Sequence, residues 1–294
     1  MPPSVTIILP TFNWSAVLPF SIGSALRQTF ADFELLVIGD GCTDDSATVV
    51  GEIEDERVRW INLATHVGHQ SGPNREGLRQ ARGRLVAYLG HDDLWLPHHL
   101  ECLVQAIESG ADLAFGLTAM VRPDGVTLEP APSRPRYTSG LWIPPTSVVH
   151  RRHVVEQVGG WRHPRDIPID AEADLWRRVH DAGHKIDAVP CLTALKFPAV
   201  WRKDVYAERP HHEQAEWLKR MQAETDLEPK LLGRMFSDAG HRFDSARGLL
   251  RSSFDVMAHT VRSQLLRYMP RLYLLAKNEQ RRRQRAFKGL HPRF

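Results

Sequence analysis

Short apolar runs closed by polar turns alternate with segments of helical periodicity in the first third of the chain. The run Val5–Leu9 predicts a fully buried strand, and the apolar positions between Val17 and Gln28 recur at the spacing of a helix. Further buried strands are predicted at Phe33–Ile38, Val58–Asn62 and Leu85–Leu89. Strands that alternate with helices in this way predict an α/β domain built on a mainly parallel sheet.

Polar turns follow these predicted strands. The first strand ends in the turn Pro10–Asn13, and the second ends in Gly39–Asp45, where glycines allow close approach of the backbone to a ligand. Thr43 or Asp44 is placed to cap the helix that comes next. Because ligands of such sheets bind beyond the carboxyl ends of the strands, we expect these turns to form one site.

Two adjacent acids, Asp92 and Asp93, stand shortly after the predicted strand Leu85–Leu89. Two like charges side by side repel each other unless a cation lies between them and another anion. Carboxylate oxygens are ligands that hard divalent cations prefer, so the pair favours a metal bound together with a diphosphate. The alternative interpretation is a helix N-cap or a solvated turn.

Three segments, Val5–Asn13, Gln28–Asp45 and His91–Asp93, resemble in this order the motifs of glycosyltransferase family 2, and the resemblance extends over residues 4–203. It implies a GT-A (Rossmann-like) fold, in which helices flank a mainly parallel sheet. It also implies transfer of a sugar from a nucleotide diphosphate sugar to an acceptor hydroxyl, with inversion at the anomeric carbon. The expected acceptor is a glycan or a lipid-linked molecule in the synthesis of polysaccharide, lipopolysaccharide or another glycan.

The resemblance also implies roles for single residues. Phe12 matches the aromatic residue that stacks on the nucleotide base, and Asp40 matches the acid that forms a hydrogen bond with it. Asp93 matches the ligand of Mn2+ or Mg2+, and Asp92 the acid that contacts the sugar or ribose. The expected nucleotide-sugar site comprises Pro10, Thr11, Phe12, Asn13, Asp40, Asn74 and Asp92. A core position for Phe12 and a capping or turn role for Asp40 are the alternatives.

A third site is implied further along the chain. Val154–Trp161 resembles the family's segment of a short helix, paired glycines and an aromatic residue, and an acidic stretch follows it. Glu172 matches the position of the family's general base, and Asp170 is the alternative. Inversion by direct displacement needs one base on the acceptor side. Asp174 is expected instead to stabilise the first turn of the helix.

The chain departs from the family pattern at three positions. Gly39 and Gly90 stand where acids are usual, and Pro73 stands where an arginine often precedes the asparagine. These departures leave donor preference open, and they permit a non-catalytic nucleotide-sugar binding or scaffold protein as an alternative. A sugar-phosphate nucleotidyltransferase would carry a glycine-rich phosphate loop after its first strand, which Pro10–Asn13 is not.

Composition narrows the class of protein and its compartment. The chain has 294 residues, 42% of them apolar, and only three cysteines, Cys42, Cys102 and Cys191, which argues against a disulfide framework and indicates a reducing, cytoplasmic setting. Residues 1–26 contain no charged side chain. Pro10, Asn13 and Pro19 interrupt this stretch, so we interpret it as strand, loop and helix and not as a signal or membrane segment.

Positive charge is concentrated at the end of the sequence. Residues 262–294 contain ten Lys or Arg and one acid, a net charge of +9 that leaves −6 on the rest. An apolar stripe at helical spacing runs alongside, which predicts an amphipathic helix that either packs on the catalytic domain or contacts an anionic membrane at its cytoplasmic face. Nucleic acid is not favoured as a partner. We expect a domain boundary near residue 207, with a catalytic domain over 1–207 and a helical, basic extension over 208–294.

Overall fold

The computed structural model describes residues 2–123, 125–129, 137–138, 141–167, 169–233 and 282–289. The chain forms two compact units, residues 1–198 with 209–223, and residues 199–208 with 224–294. The predicted apolar stripe over 254–275 and most of the basic segment lie outside the described residues. The boundary near residue 207 stays a prediction, and residues 209–223, which follow it in sequence, group with the first unit.

The first unit begins with parallel strands joined by helices. The strands are β1 (Val5–Thr11), β2 (Phe33–Gly39), β3 (Val58–Asn62) and β4 (Leu85–Tyr88), and the helices are α1 (Leu18–Leu26), α2 (Ser46–Gly51) and α3 (Ser71–Gln80). The strands lie in the order β3-β2-β1-β4, all pairs parallel. This confirms the α/β fold class and the strands predicted from the apolar runs.

The rest of the first unit extends the same sheet with mostly antiparallel pairs. Its elements are β5 (Leu94–Trp95), α4 (His99–Glu108), β6 (Leu113–Arg122), β7 (Gly125–Glu129), β8 (Val148–Arg151), α5 (Arg152–Gln157), α6 (Ala171–Asp181), β9 (Ile186–Lys196) and a later helix over His212–Ala223. The strand order continues as β4-β8-β6-β9-β5, with β7 paired to β6. Only β6 and β9 are parallel here, so the sheet is mainly parallel in its first half alone.

Apolar residues fill both faces of the sheet. Alternate residues of β1 point to opposite sides, with Ile7 and Leu9 in one core cluster and Ile8 in the other. Helix α3 packs very closely on β1, because a Cβ at Gly77 would lie 2.5 Å from Cγ2 of Ile8. Larger side chains therefore do not fit at this position of α3, and the helix is held firmly against the strand.

The described part of the second unit is small. Helix α7 (Val205–Glu208) contacts residues 282–289, where the backbone N–H of Asp204 donates to the carbonyl of Phe287 at 2.7 Å. The N–H of Tyr206 likewise donates to the carbonyl of Lys288 at 2.9 Å. Among the helices that the structure describes, none combines the length and apolar character needed to cross a membrane.

Candidate active site

The turns after β1, β2 and β4 meet at one edge of the sheet. Oδ1 of Asn13 accepts a hydrogen bond from the N–H of Thr43 at 2.7 Å, and its Nδ2 donates to Oγ1 of the same residue at 3.2 Å. Nδ1 of His91 lies 3.1 Å from Oγ1 of Thr11. Asn13 has a φ of +46°, a left-handed conformation that asparagine tolerates better than most residues. The expected convergence of the three turns is thus present.

Asp40, which we expected to contact the base, holds a loop in this structure. Its Oδ1 accepts from the N–H of Val67 and its Oδ2 from the N–H of Gly68, both at 2.8 Å, and the residue is buried. The ring of Phe12 stacks on the ring of His66, with centroids 3.8 Å apart. Asp40 therefore fixes the loop between β3 and α3, and its role toward the base stays a prediction.

The first departure from the family pattern, Gly39, has a packing cause. A Cβ at this position would lie 2.5 Å from Oδ1 of Asn62 and 2.7 Å from the ring of Trp60. Asn62 in turn accepts from the N–H of Cys42 at 2.8 Å and donates to its carbonyl at 2.9 Å. An acid does not fit at position 39, because the end of β3 fills the space.

Helix caps in this region differ in part from expectation. Neither Thr43 nor Asp44 is the N-cap of α2, because Asp45 occupies that position and its side chain makes no capping hydrogen bond. Oδ1 of Asp44 instead accepts from the N–H of Ser46 at 3.2 Å and from its Oγ at 2.6 Å. The carboxylate thus satisfies a donor of the first turn from one residue before the cap.

Asp93, the expected metal ligand, is fully buried and pairs with Lys196 at the end of β9. Its Oδ2 lies 2.9 Å from Nζ of Lys196, and its Oδ1 accepts from the N–H of Phe197 at 3.2 Å. Burial raises the pKa of Asp93, while Lys196 acts in the opposite direction. Burial lowers the pKa of Lys196, but the charges of Asp93, Asp92 and Glu172 outweigh it and raise that pKa. One cation thus faces three carboxyl groups.

The turn of Gly90 explains why an acid is missing there. A Cβ at Gly90 would lie 2.5 Å from Oδ2 of Asp93, so the buried carboxylate occupies the space. Asp92 is partly buried, with 13% of its side chain exposed. Among the described residues, no cluster of three or more His, Cys, Asp or Glu side chains could hold a metal alone. A cation bound here would take one carboxylate and complete its shell with phosphate oxygens.

Asn74, a residue of the expected site, and His91, which precedes the two acids, are both buried. Asn74, on α3, is fully buried, and neither polar atom of its side chain has a hydrogen-bond partner within the described part of the chain. A buried amide without a partner is costly, so the position fits a ligand that supplies polar groups. His91 is also buried, which lowers its pKa to about 4 and leaves the imidazole neutral at pH 7.

Glu172, the expected base, lies in the first turn of α6 and is partly buried. Nε1 of Trp142 donates to its Oε1 at 2.9 Å, and Nε2 of Gln70 lies 3.5 Å from its Oε2. Burial raises the pKa of Glu172, and the charge of Asp170 adds to the rise, whereas Trp142 and Lys196 lower it. Asp170, the alternative base, is exposed at the N-cap position of α6 and makes no side-chain capping bond.

Asp174, which we expected to support the first turn of α6, makes an ion pair along the helix. Its Oδ2 lies 2.8 Å from Nε of Arg178, and Arg178 also donates to the carbonyl oxygens of Val158 and Gly160. The buried acid therefore orients an arginine that ties α6 to the paired glycines after α5. Asp174 thus has a structural role in α6, the helix that also carries Glu172.

Sequence reasoning missed three side chains that contact the expected residues: Lys196, Trp142 and His66. Lys196 had a weak signal, because it is the charge that follows a short, mainly apolar stretch at the end of β9. Trp142 and His66 lie in loops, where no periodicity distinguishes a site residue from any other aromatic residue. Only the three-dimensional structure brings them to the acids.

Comparison with known proteins gives a match to the model of the family "Glycosyl transferase family 2" over residues 6–156. WfgD of Escherichia coli, a UDP-Glc:α-D-GlcNAc-diphosphoundecaprenol β-1,3-glucosyltransferase, is 36% identical over 97 residues, which cover 33% of this chain and 38% of that protein. A β-1,3-glucosyltransferase of Campylobacter jejuni that acts on GalNAc(5)-diNAcBac-PP-undecaprenol is 33% identical over 116 residues, covering 39% and 38%. An uncharacterized glycosyltransferase of Nostoc is 29% identical over 170 residues, covering 52% of each. This chain therefore spans about half the length of its curated relatives, or less.

Solved structures share the fold. TarS of S. aureus in complex with UDP-GlcNAc superimposes with a TM-score of 0.60 at 17% identity, covering 82% of this chain and 75% of that one. The mannosyltransferase PcManGT of Pyrobaculum calidifontis, in complex with GDP-Man and Mn2+, gives a TM-score of 0.53 at 17% identity, covering 94% and 86%. At such identities the likeness concerns the fold alone. Because the family model covers more than half of the sequence and spans the three strand-end turns, this chain belongs to glycosyltransferase family 2.

Proposed function

We propose that this protein is an inverting glycosyltransferase that moves a sugar from a nucleoside diphosphate sugar to an acceptor hydroxyl. The observation that carries the proposal is the buried pair of Asp93 with Lys196 next to Asp92 at the strand-end turns, together with Glu172, a carboxyl group whose charge acts on the same lysine. A base next to a cluster of acid and cation is the arrangement that direct displacement on a diphosphate sugar requires. A protein that only binds the donor would not need the base.

Glu172 takes the proton of the acceptor hydroxyl as its oxygen attacks the anomeric carbon and the nucleoside diphosphate departs. The raised pKa of Glu172 suits this role, because a base works best when its pKa is near the working pH. Its partial exposure leaves the carboxylate accessible to an acceptor. Asp170, more exposed and two residues earlier, is the alternative base.

The proposed enzyme uses a divalent cation, Mn2+ or Mg2+, with Asp92 as its ligand in place of the expected Asp93. Asp93 is buried against Lys196 and a backbone amide, whereas 13% of the Asp92 side chain is exposed, so Asp92 is the acid that a cation from solvent can reach. When bound, the metal would neutralise charge that develops on the departing diphosphate. Asp93 then serves to fix Lys196 and the turn that carries Asp92.

The donor site in this proposal lies at the strand-end turns. Phe12 offers a ring for the base, and the buried amide of Asn74 offers a donor and an acceptor to polar groups of the nucleotide sugar. The turn residues Pro10, Thr11 and Asn13 supply the wall beside them. Asp40 contributes by holding the loop that contains His66.

The acceptor we propose is a lipid-linked glycan at the cytoplasmic face of a membrane. The named Escherichia coli and Campylobacter jejuni relatives act on undecaprenol-linked substrates, which supports this class. The basic segment 262–294 would bring the protein to an anionic surface.

The test of the function is Glu172→Gln, which keeps size and hydrogen-bonding reach but cannot take a proton. UDP-glucose, UDP-GlcNAc and GDP-mannose are screened first as donors with undecaprenol-linked acceptors, and the active pair is then used. We expect donor affinity within a few-fold of wild type and a loss of about 10²- to 10⁴-fold in turnover.

Asp170→Asn, measured on parallel preparations, is the matched control. Full activity in Glu172→Gln with collapse in Asp170→Asn would move the base to Asp170. Full activity in both variants would remove this segment from the chemistry.

A further inference from the structure

The contact between Trp142 and Glu172 joins a loop to the helix that carries the proposed base. Nε1 of Trp142 lies 2.9 Å from Oε1 of Glu172, well within hydrogen-bond distance, and the indole N–H can only donate. On the other oxygen, Nε2 of Gln70 is 3.5 Å away, at the limit of such a bond. Because a glutamate side chain has three rotatable bonds, a short bond from a fixed donor removes most of its freedom.

The donor itself is fixed, because two other indoles hold the loop around it. Nε1 of Trp176 donates to the carbonyl of Ile143 at 3.0 Å, and Nε1 of Trp95 donates to the carbonyl of Thr146 at 2.7 Å. Both of these tryptophans are fully buried. Trp176 lies on α6 with Glu172. Two hydrogen bonds therefore join the helix and the loop: Trp142 of the loop donates to Glu172 of the helix, and Trp176 of the helix donates to Ile143 of the loop.

Further restraint comes from the loop sequence. Pro144 and Pro145 each have a fixed φ, and the N–H and Oγ of Ser147 both donate to the carbonyl of Pro144, at 3.0 and 2.8 Å. The segment that presents Trp142 therefore has little conformational freedom of its own.

Charged groups around Glu172 both raise and lower its pKa. Asp170, just before α6, disfavours the ionised form together with burial, whereas Lys196 at the end of β9 favours it. A hydrogen bond donated by Trp142 also favours the ionised form, because it is stronger to a carboxylate than to a carboxylic acid. The indole thus counters the effects that favour the protonated form of the carboxyl group.

We propose that Trp142 is the positioning residue of the catalytic base, holding the Glu172 carboxylate in one orientation and keeping it ionised at the pH at which it accepts the acceptor's proton. The proposal rests on the proposed function, in which Glu172 is the base. Trp142 itself takes no part in proton transfer. Its contribution is the indole N–H, not the bulk of the ring.

The test uses Trp142→Phe in the full chain, which keeps an aromatic ring but removes the N–H. The pKa of Glu172 is read directly by carbon NMR of carboxyl-labelled glutamate, with Glu172→Gln to assign the signal. We expect the pKa of Glu172 to rise in Trp142→Phe, the acid limb of the turnover profile to move to higher pH, and turnover at pH 7 to fall about tenfold. Donor KM should stay within a few-fold of wild type.

Trp217→Phe is the matched control, since Trp217 lies on another helix under the guanidinium of Arg220, 4.3 Å from its ring centre. This control should leave both the NMR titration and the pH profile at wild-type values. If Trp142→Phe does not fold, replacement of Trp142 by 3-benzothienylalanine, which has sulfur in place of the N–H and the same shape, gives the same comparison.

An unchanged pKa of Glu172 without the N–H would overturn the proposal. So would a lower melting temperature of Trp142→Phe with an unmoved pH profile, because that result assigns the tryptophan to packing alone. Failure of the proposed function has a different appearance: wild-type protein without transfer activity, while the NMR titration still responds to the Trp142 substitution.

Discussion

Nζ of Lys196 lies 2.9 Å from Oδ2 of Asp93, and the carboxylate has no exposed surface. The pair joins the end of β9 to the turn after β4, and the N–H of Phe197 completes it. A buried carboxylate that loses its cation has neither water nor charge to compensate. The pair is therefore needed both for the shape of the site and for its charge balance.

Lys196→Met should destabilise the protein strongly. Removing one partner of a buried ion pair costs about 3–5 kcal/mol in the free energy of unfolding. Urea unfolding at pH 7 measures the loss. Adding Asp93→Asn to Lys196→Met should recover part of it, because the unpaired charge is gone.

Lys185→Met is the matched control, because Lys185 pairs with Asp187 at the same 2.9 Å but on the surface. We expect a change below about 1 kcal/mol there. Equal effects at Lys196 and Lys185 would contradict the importance given to the buried pair.

Asp92→Asn should abolish the effect of Mn2+ on nucleoside diphosphate binding while leaving the fold intact. The reason is that part of the Asp92 side chain is exposed and can reach a cation, whereas Asp93 is buried against Lys196 and the N–H of Phe197. Calorimetry with UDP and GDP, with Mn2+ and with EDTA, measures the effect. Asp93→Asn should lower stability more than it lowers metal-dependent affinity, and the reverse pattern would return the metal to Asp93.

Glu172→Gln should stabilise the protein at neutral pH and not at acid pH. The pKa of Glu172 is raised in the folded state, chiefly by burial, so the folded protein disfavours its ionised form. Below its unfolded-state pKa, Glu172 is protonated in both states, and the stability that this form contributes is complete. That stability is lost as pH rises through the folded-state pKa, because the carboxyl group then ionises in a buried position. Glutamine does not ionise and keeps it. Melting temperatures of both proteins between pH 4 and 8 test this, and a constant difference across the range would refute it.

Asp40→Ala should release the loop between β3 and α3. The substitution removes the charged acceptor of the half-buried N–H groups of Val67 and Gly68, and each hydrogen bond to a charged group contributes about 1.5–3 kcal/mol. We expect faster proteolysis of this loop and weaker binding of UDP or GDP. Asp45→Ala, at an exposed acid whose side chain caps nothing, is the control and should change neither.

Deleting residues 262–294 should reduce binding to anionic vesicles, because the segment carries a net charge of +9. Raised salt should weaken vesicle binding of the intact protein, since surface charges are screened over about 8 Å at physiological ionic strength. Co-sedimentation with vesicles containing phosphatidylglycerol measures both effects. Equal binding by the two forms at low salt would contradict the proposed membrane contact, and insolubility of the shortened form would indicate that the segment is part of a core.

The sequence predicts the first half of the fold well for a physical reason. Strands β1, β2 and β4 are buried on both faces, so they appear as nearly continuous apolar runs, and each is followed by a polar turn. The antiparallel half lacks this signal, because β9 mixes buried and partly exposed positions and includes a proline.

The same contrast holds for the candidate site. Phe12, Asp40, Asp92 and Glu172 stand in recognisable motifs, but their partners come from distant segments. Nothing local to Asp93 indicates that Lys196 will occupy it, and nothing local to Glu172 indicates Trp142. The sequence therefore predicts which acids matter better than it predicts how each is held.

The pairing of Lys196 with Asp93 also bears on the order in which the site forms during synthesis. The two residues are 103 positions apart, whereas β1, β2 and β4 are joined by short strand–helix repeats. Chains emerge from the N-terminus, and distant pairs close later because of their loop entropy. The turns after β1, β2 and β4 can thus assemble on the ribosome before β9 exists. Charge neutralisation at Asp93 waits for β9, so this edge of the sheet reaches its final shape only after most of the first unit has been synthesised.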